Sequence, residues 1–184
     1  GDSIIYLIDR WRGKNGAQAG DIGNIGFYDV DFEPLPGVTG AAGISPAGYG
    51  MTVIDHLTHN VHKGRMDEWA GFYERLFNFR EVRYSDIEGQ ATGVKSKAMT
   101  SPCGKIRIPI NEEGNDQKGQ IQEYLDMYHG EGVQHIALAS KDIYHAVDQL
   151  GMAGVKLLDT SDTYYELLPK RIPGLKEPIG ELQS

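Results

Sequence analysis

Two histidines, His56 and His135, are the residues best suited to chemistry, because they stand in matching local sequences. Each lies in a short apolar run that predicts a β-strand, over 52–58 and 132–138. Neutral imidazole nitrogens bind iron, zinc, copper and nickel, and two of them with one carboxylate leave positions on iron open for substrate and oxygen. The single cysteine, Cys103, argues against a structural zinc site built from thiolates.

The elements around the two histidines repeat in the same order, 79 residues apart (135 − 56 = 79). A helix is predicted after each strand, over 65–77 and over 142–150. The first helix carries an apolar stripe at Trp69, Phe72, Tyr73, Leu76 and Phe77, and the second at Ile143, Ala146, Val147 and Leu150. Because repeats place equivalent residues at equivalent positions, we expect both histidines to aim at one site on a curved sheet.

The strands that follow differ between the two copies. Three strands are predicted after the first helix, over 79–87, 92–99 and 105–110. After the second helix we predict one strand, Val155–Leu158, a short helix, Thr163–Lys170, and a loop containing Pro173, Gly174, Pro178 and Gly180. The second copy is therefore expected to lack two strands.

The remaining histidines, His59, His62, His129 and His145, are not expected to bind metal. His59 follows His56 by three residues, so a strand places it on the opposite face. His145 falls on the predicted surface of a helix.

Residues 1–50 are interpreted as the last strand of an N-terminal domain, Ile4–Ile8, followed by a glycine-rich interdomain connection with an extended piece at 26–30. Residues 51–184 are interpreted as a C-terminal catalytic domain, truncated before its last strands. The net charge of −8 argues against non-specific nucleic-acid binding. No apolar run approaches the ~20 residues of a membrane helix. No signal peptide is expected, and the lone cysteine favours the cytoplasm.

Several segments resemble the 4-hydroxyphenylpyruvate dioxygenase family, with its bacterial branch the most similar. Residues 54–61 and 69–74 resemble the first metal-ligand strand and the helix after it, and 108–112, 130–137 and 162–165 resemble further signatures. The resemblance implies an α+β fold of the vicinal oxygen chelate type (glyoxalase/bleomycin-resistance/dihydroxybiphenyl dioxygenase-like). In that fold βαβββ modules form half-barrels around a metal, and the second module is incomplete here.

The resemblance also implies an Fe(II) oxygenase of tyrosine and phenylalanine catabolism. Such an enzyme converts an aromatic 2-oxo acid, 4-hydroxyphenylpyruvate, and O2 to homogentisate and CO2, with the keto acid chelating the iron. Carried over by position, His56 and His135 are iron ligands, and no catalytic residue is assigned beyond the ligands. Polar residues expected to orient the substrate are Ser96, Asn111, Gln120 and Gln134. On a regular strand Gln134 would face away from His135, so a bulge re-aims it or it acts from behind the ligand.

The chain departs from the family at the third ligand. That ligand is a glutamate on the last strand of the second module, and no glutamate in 163–184 stands in a matching motif. We therefore expect the chain to be a fragment with little or no activity of its own, and the full-length enzyme to be a homo-oligomer.

Three alternatives stay open at this point. A hydroxymandelate synthase would use the same keto acid and hydroxylate its benzylic carbon. A non-catalytic binding module could share the fold, because fold alone does not decide function. A zinc or nickel isomerase of the glyoxalase type would differ in its metal.

Overall fold

The computed structural model describes residues 3–7, 21–22, 25–26, 33, 48–88 and 93–183. The chain divides into two compact units, Gly1–Lys141 and Asp142–Ser184. The domain boundary expected near residue 50 stays a prediction. Before that point, β1 (Asp21–Ile22) pairs antiparallel with β2 (Ile25–Gly26).

A five-stranded mixed sheet dominates the first unit. Its strands are β3 (Met51–Asn60), β4 (Arg80–Glu88), β5 (Gly93–Thr100), β6 (Arg107–Glu113) and β7 (Gly132–Ser140). Their order in the sheet is β4-β5-β6-β3-β7, with β3 parallel to β6 and every other neighbouring pair antiparallel. Helix α1 (Met66–Phe77) connects β3 to β4. The run from β3 to β6 is therefore one complete βαβββ module, and its four predicted strands are confirmed.

Helix α1 covers one face of this sheet. Its buried residues Met66, Ala70 and Tyr73 pack into a core with Val61, Met99 and Ile110. The prediction that Leu76 belongs to the buried stripe is wrong, because its side chain is 63% exposed. At 3.6 residues per turn, Leu76 lies roughly 90° from the centre of the buried stripe, where the sheet no longer covers the helix.

Two buried glutamates at the end of β6 cap helices. Glu112 Oε2 accepts hydrogen bonds from the backbone N–H groups of Gly64 and Met66, at 2.9 and 3.1 Å, where α1 begins. Glu113 Oε1 accepts those of Gly119 and Gln122, at 3.1 and 3.0 Å. The first four N–H groups of a helix lack partners within it, so these carboxylates satisfy donors that would otherwise be buried unpaired.

The second of these helices, α2 (Gln120–Tyr128), was not expected from the sequence. It buries only Ile121 and Leu125. Ile121, Tyr124, Leu125 and Tyr128 follow the spacing i, i+3, i+4, i+7, so the sequence did contain a helical pattern here. Its N-terminal N–H groups are capped by Glu113 on β6.

The second unit contains three helices among its described residues: α3 (Ile143–Met152), α4 (Asp162–Arg171) and α5 (Ile179–Gln183). The first two were predicted. The predicted strand Val155–Leu158 is wrong. These residues form no regular structure, and Leu158 is 95% exposed, because a strand needs a partner and none is paired with it in the described part of the chain. The predicted loop after Pro173 contains α5, which starts just after Pro178, a residue that favours helix beginnings.

The predictions for the N-terminal residues are tested only where the structure describes them. Residues 3–7 form no strand, because they are paired with none of the described strands. The side chains of Ile4 and Leu7 are 72% and 81% exposed. Ile8 and residues 27–30 lie outside the described residues. No helix in the described ranges is both long and apolar enough to cross a membrane.

His59 lies in the core beneath α1, on the face opposite His56, as predicted. Only 3% of it is exposed, and its Nδ1 is 3.1 Å from the hydroxyl of Tyr73. Its ring also meets the edge of Trp69, with centroids 4.5 Å apart. Burial lowers the pKa of His59 from 6.5 to about 4, because the apolar surroundings disfavour the charged imidazolium.

We expect this burial to make the chain lose stability in mild acid. The folded pKa lies below the unfolded one, so the unfolded state binds more protons and is favoured as the pH falls from 6.5 towards 4. The free energy of unfolding should fall by about 3 kcal/mol over this window from His59 alone. Urea unfolding of wild type and His59→Gln at several pH values measures the difference. Tyr73→Phe, which keeps the burial, should retain the pH dependence; parallel curves for wild type and His59→Gln would contradict the assignment.

Candidate metal centre

His56 and His135 meet on the sheet face that α1 leaves free. They stand on the adjacent antiparallel strands β3 and β7, where Thr58 is opposite His135 and His56 is opposite Ala137. Because directly opposed residues share a face, the two histidines are diagonal neighbours on one face. Their ring centroids are 5.6 Å apart and the ring planes cross at 73°. The structure thus brings the two predicted ligands together.

Each histidine is preceded by an extra residue in its strand. The pairing passes from Ile54↔Leu138 to His56↔Ala137, which leaves Asp55 unopposed on β3. It passes from Thr58↔His135 to His59↔Val133, which leaves Gln134 unopposed on β7. An extra residue in one strand of an antiparallel pair is a β-bulge, and bulges re-aim side chains. Both alternatives raised for Gln134 are observed, because it stands in a bulge and its side-chain oxygen lies behind the ring of His135, at Nδ1.

The two bulged residues contact the histidines in the same way. Asp55 Oδ2 lies 2.8 Å from His56 Nδ1. Gln134 Oε1 makes the equivalent contact with His135 Nδ1. An imidazole whose Nδ1–H is donated to an oxygen carries its free lone pair on Nε2. Both rings are therefore held in the tautomer that can bind a cation through Nε2.

The electrostatics of the centre favour neutral imidazole at His135. Burial lowers the pKa of His135, and the neighbouring His56 lowers it further. The hydrogen bond from His56, with Arg107 nearby, lowers the pKa of Asp55 and keeps that carboxylate ionised. Thr58 Oγ1 lies 2.9 Å from His135 Nε2 and donates its proton there.

A polar row crosses the same face beside the histidines. Ser96 on β5 is directly opposite Asn111 on β6, and Asn111 is opposite Asn60 on β3. Thr58 and Asn60 are 2% and 3% exposed, and the Asn60 side-chain oxygen has no hydrogen-bond partner among the described residues. The structure therefore joins two predicted substrate-orienting residues, Ser96 and Asn111, in one row on the histidine face.

Gln120 is the predicted site residue that the structure does not join to this group. It is the first residue of α2, and it is exposed. No hydrogen bond in the described part of the chain connects its side chain to either histidine. Its role in substrate binding stays a prediction.

Sequence reasoning missed Asp55, Thr58 and Asn60. A period of two along β3 from His56 reaches both Thr58 and Asn60, so strand alternation could have found them. Asp55 occupies the place before His56 that Gln134 occupies before His135, so the repeat itself carried the signal. Only the contact of Asp55 with His56 depends on the bulge, which no local pattern in the sequence indicates.

His56 and His135 can supply two of the ligands of an iron site. Two Nε2 atoms become available on one face, with Nδ1 of each ring already bonded to an oxygen, which is the usual second contact of a metal-binding histidine. A bound cation would take the place of the Thr58 hydroxyl at His135. Among residues 48–88 and 93–183, no third histidine, cysteine or carboxylate completes a ligand set with them.

Comparison with curated proteins places the chain beside named enzymes. It is 51% identical over 184 residues to a 4-hydroxyphenylpyruvate dioxygenase of Pseudomonas aeruginosa, covering 100% of this chain and 47% of that protein. It is 49% identical to the enzyme of the same name from a Pseudomonas species, covering 100% of this chain and 48% of that protein. The chain thus spans about half the length of the curated relatives it matches.

The fold agrees with these likenesses. A variant of 4-hydroxymandelate synthase from Streptomyces coelicolor superposes with a TM-score of 0.64 at 28% identity, covering 81% of this chain and 41% of that one. The sequence profile of one superfamily matches residues 53–172, from β3 to the loop after α4. The expected vicinal oxygen chelate fold is confirmed, and the chain belongs to the Glyoxalase/Bleomycin resistance protein/Dioxygenase superfamily.

Proposed function

We propose that this chain is the iron-binding half of a 4-hydroxyphenylpyruvate dioxygenase, and that the complete activity belongs to a longer polypeptide. The full-length protein would convert 4-hydroxyphenylpyruvate and O2 to homogentisate and CO2, in tyrosine and phenylalanine catabolism. The observation that carries the proposal is the meeting of His56 and His135 on one sheet face, 5.6 Å between ring centroids. The relatives of that name, at 49–51% identity, support it.

In this proposal His56 and His135 hold Fe(II) through Nε2. When bound, the metal supplies open positions for chelating the keto acid and for reaction with O2. A carboxylate would be the third ligand, and within residues 48–88 and 93–183 none forms a ligand group with the two histidines. Gln134 and Asp55 orient the two imidazoles, because an oxygen that accepts from Nδ1–H leaves the lone pair of the neutral ring on Nε2.

The polar row would orient the substrate ring. Ser96 and Asn111 are cross-strand partners on the histidine face, so a planar ring lying on the sheet would meet a hydroxyl and an amide at the same edge. These groups can both donate to and accept from a phenol. Gln134, bonded to His135, would contact the substrate beside the metal, and Gln120 would approach from the start of α2.

The proposal includes a cytoplasmic, homo-oligomeric full-length enzyme. A single cysteine suits a reducing compartment. Among the described strands β7 forms one edge of the sheet, and a sheet edge is where further strands add.

The test is product analysis of the full-length protein, purified without oxygen, loaded with Fe(II) and supplied with 4-hydroxyphenylpyruvate and O2. We expect homogentisate and one CO2 for each O2 consumed. The structural likeness to 4-hydroxymandelate synthase makes hydroxymandelate the second candidate product. Hydroxymandelate as the main product would replace the proposed reaction with that one, and binding of the keto acid without O2 consumption would support a non-catalytic module.

The 184-residue chain alone is expected to turn over little or no substrate, because two imidazoles without the carboxylate hold iron weakly. The same oxygen-consumption assay on the isolated chain, at matched Fe(II), measures this. Turnover comparable to that of the full-length protein would show that the ligand set is complete within the chain.

A further inference from the structure

The contacts of Asp55 set it apart from the other carboxylates on the sheet. It occupies the bulge of β3 and reaches the histidine that follows it, while its other oxygen accepts a hydrogen bond from Arg107 Nη1 at 2.5 Å. The three side chains form a chain that runs from β6 to β3 and ends at the candidate metal centre.

Stabilisation of the fold does not explain why these three side chains are arranged in this way. The side chains of Arg107, Asp55 and His56 are 52%, 38% and 29% exposed. Ion pairs with that much exposure contribute little to folding, because water screens them and ordering the side chains costs entropy. A bulge also leaves one residue out of the backbone ladder. The placement of Asp55 therefore needs another explanation.

The hydrogen bond between Asp55 and His56 gives an explanation for the placement of Asp55. An ionised carboxylate can only accept, so its contact at 2.8 Å requires a proton on His56 Nδ1. In the neutral ring this fixes the lone pair on Nε2, the atom directed away from Asp55. Arg107, a donor that does not lose its charge, keeps the carboxylate ionised and fixes its direction.

The second strand repeats the arrangement with different chemistry. Gln134, in the bulge of β7, places an amide oxygen against His135 Nδ1. Two bulges in neighbouring strands thus do the same task, one with a carboxylate and one with an amide.

We propose that Asp55, held by Arg107, is a positioning residue that fixes His56 in the tautomer able to bind a divalent cation. The proposal rests on the proposed function, since it takes His56 to be a metal ligand. Asp55 itself need not touch the metal or the substrate. Removing it should weaken metal binding, as loss of the carboxylate partner of a metal-binding histidine generally does.

The first measurement is the proton position on His56. Nitrogen-15 spectra of histidine-labelled, metal-free chain at mildly alkaline pH should show the proton on Nδ1 in wild type. In Asp55→Ala we expect a shift towards the form protonated on Nε2, with the His135 signals much less changed. Identical His56 signals in both proteins would overturn the proposal, and this readout needs neither metal nor activity.

The second measurement is Co(II) affinity of the full-length protein, followed by its visible absorption. Asp55→Ala should weaken binding roughly 10–100-fold. Asp55→Asn keeps the size and shape of the side chain and should leave the fold intact. It should also weaken Co(II) binding, but by less than Asp55→Ala does. The matched control is Asp116→Ala, which removes a 98%-exposed carboxylate paired with Lys63 and should leave the affinity unchanged.

The outcomes separate the two proposals. If wild type binds no Co(II) and consumes no O2, the proposed function fails. If wild type binds Co(II) and both Asp55 variants bind it equally well, only the positioning role is overturned. A loss of affinity in the Asp55 variants that Asp116→Ala does not share supports it.

Discussion

Replacing either His56 or His135 with alanine in the full-length protein is expected to remove iron and abolish turnover. Each substitution deletes one of two imidazoles whose ring centroids are 5.6 Å apart. Among the described residues, no histidine, cysteine or carboxylate forms a three-ligand group with them that could replace the lost ring. Loss of a partner behind the ligand costs about 10–100-fold in affinity, so loss of the ligand itself should exceed roughly 100-fold. Iron content after dialysis and the rate of O2 consumption measure both effects.

The matched control is His145→Ala, which makes the same substitution at an exposed helical position. It should retain iron and activity. If His56→Ala and His135→Ala also retained them, the metal would lie elsewhere, and a binding module of the same fold would become the better description. If the full-length protein instead catalysed an isomerase reaction with Zn(II) or Ni(II) and needed no iron, an isomerase of the glyoxalase type would be favoured.

The largest expected effect on stability comes from Glu131→Ala. The Glu131 side chain is 7% exposed and connects the start of β7 to the start of α1. Its Oε2 accepts a hydrogen bond from Trp69 Nε1 at 2.8 Å and pairs with Arg65 at 2.9 Å, and its Oε1 accepts the backbone N–H of His62 at 2.9 Å. One carboxylate therefore satisfies three donors.

Removing that carboxylate takes away the acceptor of the Trp69 and His62 N–H groups. We therefore expect the free energy of unfolding to fall by about 3 kcal/mol. Urea unfolding of the chain, followed by tryptophan fluorescence, measures this. Glu131→Gln keeps the shape and should lose less. Glu68→Ala removes the exposed carboxylate bonded to the same arginine and should change stability little. Equal midpoints for Glu131→Ala and Glu68→Ala would show that the three hydrogen bonds do not stabilise the fold.

The strongly periodic elements were predictable from the sequence. The strand that carries His56 and the helix after it have clear apolar periods and a turn between them, so local propensity and burial favour the same structure. The same holds for β7 and α3. Helix α2 buries only two residues and was missed, although its apolar residues follow a helical spacing. The strand predicted at Val155–Leu158 was misassigned, because no described strand pairs with it and the state of a strand depends on the rest of the chain.

At the candidate site too, some features were predictable from the sequence and others were not. The sequence by itself determined the chemistry available, namely two imidazoles in repeated strands, hydroxyl and amide groups nearby, and one module complete to its fourth strand. It also determined that His59 would face away from His56, because alternation along a strand is local.

The tertiary structure alone decided how those groups meet. The two bulges that bring Asp55 and Gln134 against their histidines arise from the register between β3 and β7, which are separated by more than seventy residues in sequence. The row formed by Ser96, Asn111 and Asn60 depends on the order of three strands. Register and strand order are set by packing across the whole sheet, so no single segment of the sequence contains them.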